Sequence, residues 1–248
     1  MKKILIVYFS LFTFVFSNAQ SKNTFVFVHG AWGGAWDWRN VANVLIEKGN
    51  TSYCVTLTGL GERAHLLNKN IGLQTHIMDV VNTILFEDLH NVILVGHSYG
   101  GMVITGVAEI IPDRIKKLIY LDAFLPIDGE SVVTARKSST NNILNLLKDS
   151  VLVPSWVPKD KAPPKDVPHP IKTFTDIISI KNKDANKIPG VYILTVDSGK
   201  NAEDDDFYKF SLRAKERKFR YYQMDNTTHI PERDNPTQLA NIILSLTP

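Results

Sequence analysis

Six short runs of β-branched and aromatic residues, at 24–28, 52–56, 91–95, 117–121, 191–196 and 219–223, punctuate the chain. Between them lie stretches whose apolar positions recur every three or four residues, clearest at 38–48, 76–88 and 101–111, with a last one at 236–246. The first pattern is that of strands covered on both faces, the second that of amphipathic helices. Their alternation predicts a mostly parallel, six-stranded sheet flanked by helices. No internal repeat is visible.

One region breaks the rhythm. A long gap separates the run ending at Leu121 from the next at Val191, and six of the chain's twelve prolines fall between Pro154 and Pro170. Helical patterns at 132–147 and 174–179 flank those prolines. A structureless loop of such length is uncommon inside a compact domain. The expectation is therefore an inserted helical cap at 127–187, joined by stiff Pro-rich connectors to a core made of 20–126 and 188–248.

The first nineteen residues stand apart. Lys2 and Lys3 precede an uncharged, mainly apolar run at 4–16, and Ser17-Asn18-Ala19 supplies small residues at the positions a signal peptidase reads. Thirteen residues are short for a bilayer span. This predicts a signal peptide at 1–19, cut after Ala19 or Gln20, a secreted or periplasmic product, and no stable membrane association after cleavage. Loss of two lysines and no acid takes the formal charge from +3 to +1. That balance carries no footprint for nucleic acid, and the basic run at 213–220 reads as a solvated helix end. The 248 residues, 44% of them hydrophobic, suffice for one large α/β domain. Cys54, the only cysteine, excludes an internal disulfide and sits in the apolar SYCVT as a buried, inert thiol.

Chemistry concentrates at NVILVGHSYGGMVITG, residues 91–106. An apolar strand runs into Gly96-His97-Ser98-Tyr99-Gly100 and a helical pattern follows at once, the context of a nucleophile elbow. So tight a turn needs minimal side chains two residues either side of Ser98. It also aims the Tyr99 backbone N–H, at the helix start, towards developing negative charge. A serine hydroxyl needs a base, and the base an orienting acid, in the chain order Ser…Asp/Glu…His. Only His169 and His229 follow Ser98 among seven histidines. His169 lies between two prolines of the expected cap, whereas His229 follows the last strand in a polar loop, so His229 is the expected base. The acid is expected at the end of the 191–196 strand, where Asp197 is the first carboxylate. Its competitors, Glu203 and Asp204 to Asp206, suit the start of a helix without any catalytic role.

The stretch FVFVHGAWGGAWDW, 25–38, ends a strand beside the nucleophile strand. The Ala31 N–H is then the natural second oxyanion donor, with His29 fixing the loop. Trp36 and Trp38 read as helix anchors. Trp32, Phe124 and Trp156 are candidate substrate-binding walls, each also readable as plain packing. Leu60-Gly61-Glu62-Arg63 either borders the entrance or fixes a loop by an ion pair.

HGAWGGAWDW, LTGLGERAHLL, VGHSYGGM and YLDAFLP together resemble the α/β-hydrolase branch of plant methylesterases, hydroxynitrile lyases and bacterial esterase-like relatives. The resemblance spans 25–246 and is weakest across 138–163. It implies an α/β-hydrolase fold without the first two strands of the larger form, a Ser98–Asp197–His229 triad, and Ala31 and Tyr99 as oxyanion donors. Lyase members carry a threonine at the position of Gly30 and a lysine at that of Ile230, so ester hydrolysis is expected over cyanohydrin cleavage. The expected partner is a small ester with an apolar or aromatic acyl group, and neither metal nor organic cofactor is required. A lyase-like carbon–carbon cleavage on the same triad and a non-catalytic small-molecule binder are the alternatives.

Overall fold

The computed structural model describes residues 22–136 and 145–247. The expected signal peptide lies outside them, as does the middle of the helical pattern at 132–147, residues 137–144. In chain order the core comprises β1 (Thr24–Val28), α1 (Arg39–Glu47), β2 (Thr51–Val55), α2 (Leu73–Phe86), β3 (Val92–His97), α3 (Gly100–Ile110) and β4 (Ile115–Leu121). A cap segment follows with α4 (Val132–Ala135), β5 (Leu147–Lys148), β6 (Val151–Leu152), β7 (His169–Pro170) and α5 (Lys172–Thr175). The core resumes with β8 (Gly190–Val196), α6 (Tyr208–Glu216), β9 (Arg220–Asp225), α7 (Pro231–Asp234) and α8 (Pro236–Ser245).

The large sheet has the order β2-β1-β3-β4-β8-β9 and every neighbouring pair is parallel. Strands β1, β3 and β8 are almost wholly buried, which is why they read as continuous apolar runs. The outermost strands β2 and β9 carry exposed positions. On one face, α2, α3 and α6 gather Ile77, Val103, Val107 and Phe210 into one apolar cluster with Val26, Val28, Leu94 and Tyr192 of the sheet. On the other, α1 and α8 bring Leu45, Leu239 and Ile243 to Phe25, Ile93 and Val95. Trp38 stacks on Phe27 there at 4.6 Å, anchoring the start of α1 to the sheet.

The cap departs from expectation. Among the described residues it holds two single-turn helices, α4 and α5, and a small antiparallel sheet in the order β5-β6-β7. Prolines at 154, 158, 163, 164, 168 and 170 remove backbone donors too often for a longer helix to propagate. The pattern at 174–179 accordingly yields a helix only over Lys172–Thr175.

Candidate active site

Ser98 sits between the end of β3 and the start of α3 with φ +52, a left-handed conformation that is strained for a serine. The elbow closes only because its flanks are bare. A Cβ on Gly96 would stand 2.7 Å from the Gly100 carbonyl oxygen, and one on Gly100 would stand 2.8 Å from that of Val28. The turn is pinned to β4 by the Ser98 N–H, which donates to Leu121 O at 3.2 Å, and by the Phe124 N–H, which donates to Ser98 O at 3.1 Å.

His229, in the loop after β9, places Nε2 2.9 Å from Ser98 Oγ. Its Nδ1 lies 2.6 Å from Asp122 Oδ2. The acid at the histidine is thus Asp122 and the expectation of Asp197 is corrected. Strand β4 is the immediate neighbour of β3, so the residue that ends it arrives next to the elbow; β8 lies one strand further away. Asp122 is fully buried, has φ +42, and its Oδ1 accepts the Thr195 N–H at 3.2 Å. Asp197 instead takes Lys200 Nζ at 2.7 Å on a side chain that is 42% exposed. The rule that singled out Asp197, first carboxylate after a sheet strand, fits Asp122 in YLDAFLP equally well. Only the assumption that the acid follows the cap hid it.

Two further groups hold the imidazole in place. Phe207 stacks on His229 with centroids 4.8 Å apart and planes 15° from parallel. Behind it, His97 Nε2 donates to the His229 carbonyl at 2.7 Å, while His97 Nδ1 lies 3.0 Å from the Glu232 carboxylate. Both ring nitrogens of His97 face acceptors. Burial alone would discharge this ring, but the equally buried Glu232 outweighs it and holds the His97 pKa above the ordinary range. His97, next to the nucleophile, reads from the sequence as a packed or hydrogen-bonded neighbour, and it is one. Its pairing with Glu232 is not legible there, because it depends on how the loop after β9 folds back over β3. Arg233 ties the same loop down through Asp37 and Asp166, each at 2.7 Å, with its guanidinium over Trp36.

Ala31 and Tyr99 flank Ser98, and among the described residues neither backbone N–H donates to a protein acceptor. They open on a cavity of about 470 Å³ whose lining includes Ser98, His229, Trp32, Phe124, Trp156 and Phe207. The three aromatic candidates therefore do reach the same hollow. Trp156, from the cap, meets Trp32 edge-on at 5.3 Å. Asp205 also lines the cavity; burial and the Asp122 charge raise its carboxyl to about 6. A smaller hollow of about 250 Å³ reaches Ser98 and His229 from the side of Ile230 and Arg233. His29 serves its own loop, donating Nδ1–H to Gly30 O and accepting the Leu57 N–H at Nε2. Arg63 of the LGER stretch bonds Asp79 and Thr56 O, the loop-fixing alternative.

Comparison with known proteins decides the family. The model of the alpha/beta hydrolase family matches residues 25–242. The chain belongs to that family. It is 54% identical over 109 residues, 44% of this chain and 45% of the other, to the carbendazim hydrolyzing esterase of Nocardioides sp. (strain SG-4G). It is 31% identical over 199 residues to the pFDCC methylesterase MES16 of Arabidopsis thaliana, covering 69% of this chain and 75% of that one. The matches span 32–57% of the length of the first four curated relatives. Among solved structures, an extracellular alpha/beta-hydrolase from a Paenibacillus species superposes with a TM-score of 0.74 at 25% identity, over 90% of this chain and 98% of that one. The resemblance to methylesterases and bacterial esterases noted from the motifs is upheld.

Proposed function

We propose that this chain is a serine hydrolase that cleaves small carboxylic esters, with an apolar or aromatic acyl part, through an acyl-enzyme on Ser98. The observation that carries the reading is the hydrogen-bonded series Asp122–His229–Ser98, at 2.6 and 2.9 Å, at the floor of an aromatic-walled cavity. Ser98 Oγ attacks the ester carbonyl as His229 Nε2 takes its proton. The carbonyl electron pair moves onto oxygen, where the Ala31 and Tyr99 N–H groups receive it. Collapse breaks the carbon–alkoxide bond, and His229 returns the proton to the departing alcohol. Water then attacks the acyl-enzyme by the same route and frees the acid. Asp122 holds Nδ1–H, so that Nε2 is the free acceptor when Ser98 is protonated. The larger hollow suits the acyl part and the smaller one the alcohol.

The methylesterase and carbendazim hydrolyzing esterase relatives support small esters, methyl esters first among them. Against cyanohydrin cleavage stands Gly30: a Cβ there would lie 2.9 Å from His97 Nδ1 and 3.2 Å from Ser98 Cβ, leaving no room for a threonine. Export is part of the proposal, on the leader-like pattern at 1–19 and the extracellular relative. The test is hydrolysis of a short-chain p-nitrophenyl ester by the chain without residues 1–19, beside Ser98→Ala. The variant should lose at least about a thousandfold in kcat. Equal rates in both proteins overturn the reading, and cyanide release from mandelonitrile without ester turnover replaces it with a lyase.

A further inference from the structure

His169 is a fully buried histidine that the reaction above does not use. It stands in β7 of the cap, paired with Leu152 of β6. Its Nδ1 accepts the backbone N–H of Trp32 at 3.2 Å, although the two residues lie 137 positions apart. Two residues earlier, the Val167 N–H donates to Trp32 O at 2.9 Å. The Trp32 indole N–H donates to Leu152 O at 3.3 Å. Both backbone polar groups of Trp32 and its side-chain donor are thus taken by the cap. Trp32 itself has φ +66, a conformation that a bulky residue keeps only where its surroundings impose it. It directly follows Ala31, one of the two oxyanion donors proposed above.

The hydrogen bonds also fix the tautomer. Nδ1 accepts, so the ring proton belongs on Nε2, which faces Thr173 Oγ1 at 2.8 Å. Thr173 in turn donates its hydroxyl proton to Pro170 O at 2.8 Å. Phe174 and Tyr99 close around the ring with centroids 5.0 Å away. A protonated ring would point N–H at N–H and break the circuit, and nothing acidic is among these partners.

From this geometry we infer that His169 is a positioning residue through which the docked cap sets the oxyanion hole: it holds Trp32 left-handed and so aims the Ala31 N–H at the reacting carbonyl. The cap is thereby a working part of the catalytic centre and not only its roof. The inference rests on the serine-hydrolase reading.

Asparagine and glutamine at 169 separate this role from mere packing. The Asn side chain presents an acceptor at the place of Nδ1, whereas that of Gln presents one at the place of Nε2. We expect His169→Asn to keep kcat within about threefold. His169→Gln should lower kcat about 30-fold, a fraction of the loss on deleting an oxyanion donor outright, with KM changed less than threefold. Affinity for a trifluoromethyl ketone, whose hemiketal oxygen occupies the hole, should fall by the same factor in His169→Gln. Inhibition by the product acid should not change. Amide hydrogen exchange at Trp32 should accelerate in His169→Gln alone, a readout independent of turnover. Equal kcat and equal ketone affinity in the Asn and Gln variants, with Ser98→Ala inactive, overturn the positioning role while leaving the hydrolase reading intact. Full activity of Ser98→Ala removes both.

Discussion

At the scale of single residues, the decisive fact is which carboxylate stands behind His229. Asp122 is buried, accepts a backbone N–H and meets Nδ1; Asp197 is partly exposed and engaged with a lysine. Asp122→Asn should therefore favour the wrong imidazole tautomer and lower kcat about 10³–10⁴-fold. Asp197→Asn removes only a surface ion pair and should leave kcat within about twofold. A comparison of the two rates on one ester checks the assignment, and the reverse order would restore Asp197. The serine and histidine were legible in the sequence because each is marked locally, Ser98 by the glycines around it and His229 by its place after the last strand. Asp122 carries only the mark it shares with Asp197, a carboxylate directly after a sheet strand. What selects it is the adjacency of β3 and β4, a relation between strands that residue order along the chain does not state.

Among elements, the placing of α3 matters most. Its first turn lies against the carboxyl end of β1, close enough that a methyl at residue 100 would meet the Val28 and His29 carbonyl oxygens at 2.8 and 3.0 Å. These are backbone atoms of a central strand and have little freedom to move. Gly100→Ala should push the start of α3 away from β1, destabilise the fold by about 1–3 kcal/mol, and displace the Tyr99 N–H from Ser98. A urea midpoint unchanged by the substitution, with unchanged kcat, would contradict this packing. The core strands and their helices were readable to within a few residues, since apolar periodicity is written over whole elements. The cap was not: its strands are two residues each, β6 and β7 pair across the long proline-rich stretch at 153–168, and such sequence records where helices cannot run without recording what pairs instead.

For the whole molecule, three fully buried histidines tie stability to pH. Burial lowers His29 to about 4 and His76 to about 3, and holds His169 well below its usual range. Between about pH 4 and 6.5 the unfolded chain binds protons at these positions that the native state refuses. Stability is therefore present above pH 6.5 and is lost as pH falls, at up to about 1.4 kcal/mol per pH unit for each proton. Asp205, raised to about 6, works in the opposite sense across about pH 4–6, because there the native state keeps a proton that the unfolded chain gives up. His97, held above its ordinary range, and Asp37, raised by burial, also work in that opposite sense, the first only above about pH 6.5. Below about pH 6.5 the three rings outnumber the opposing carboxyls, so the urea midpoint should drop from about pH 6.5 to pH 5, and a flat profile would contradict neutral burial of these rings. The aromatic pair over the cavity mouth has another consequence. Trp38 is sealed in the core and Trp36 lies under a guanidinium, whereas Trp156 is 57% exposed and edge-on to Trp32 at the rim of the cavity. Of the four indoles, two thus emit from surroundings that an incoming ligand leaves untouched and two from surroundings it would dehydrate. The protein carries its own optical gauge of occupancy, read from a colour shift in ultraviolet emission without any added dye.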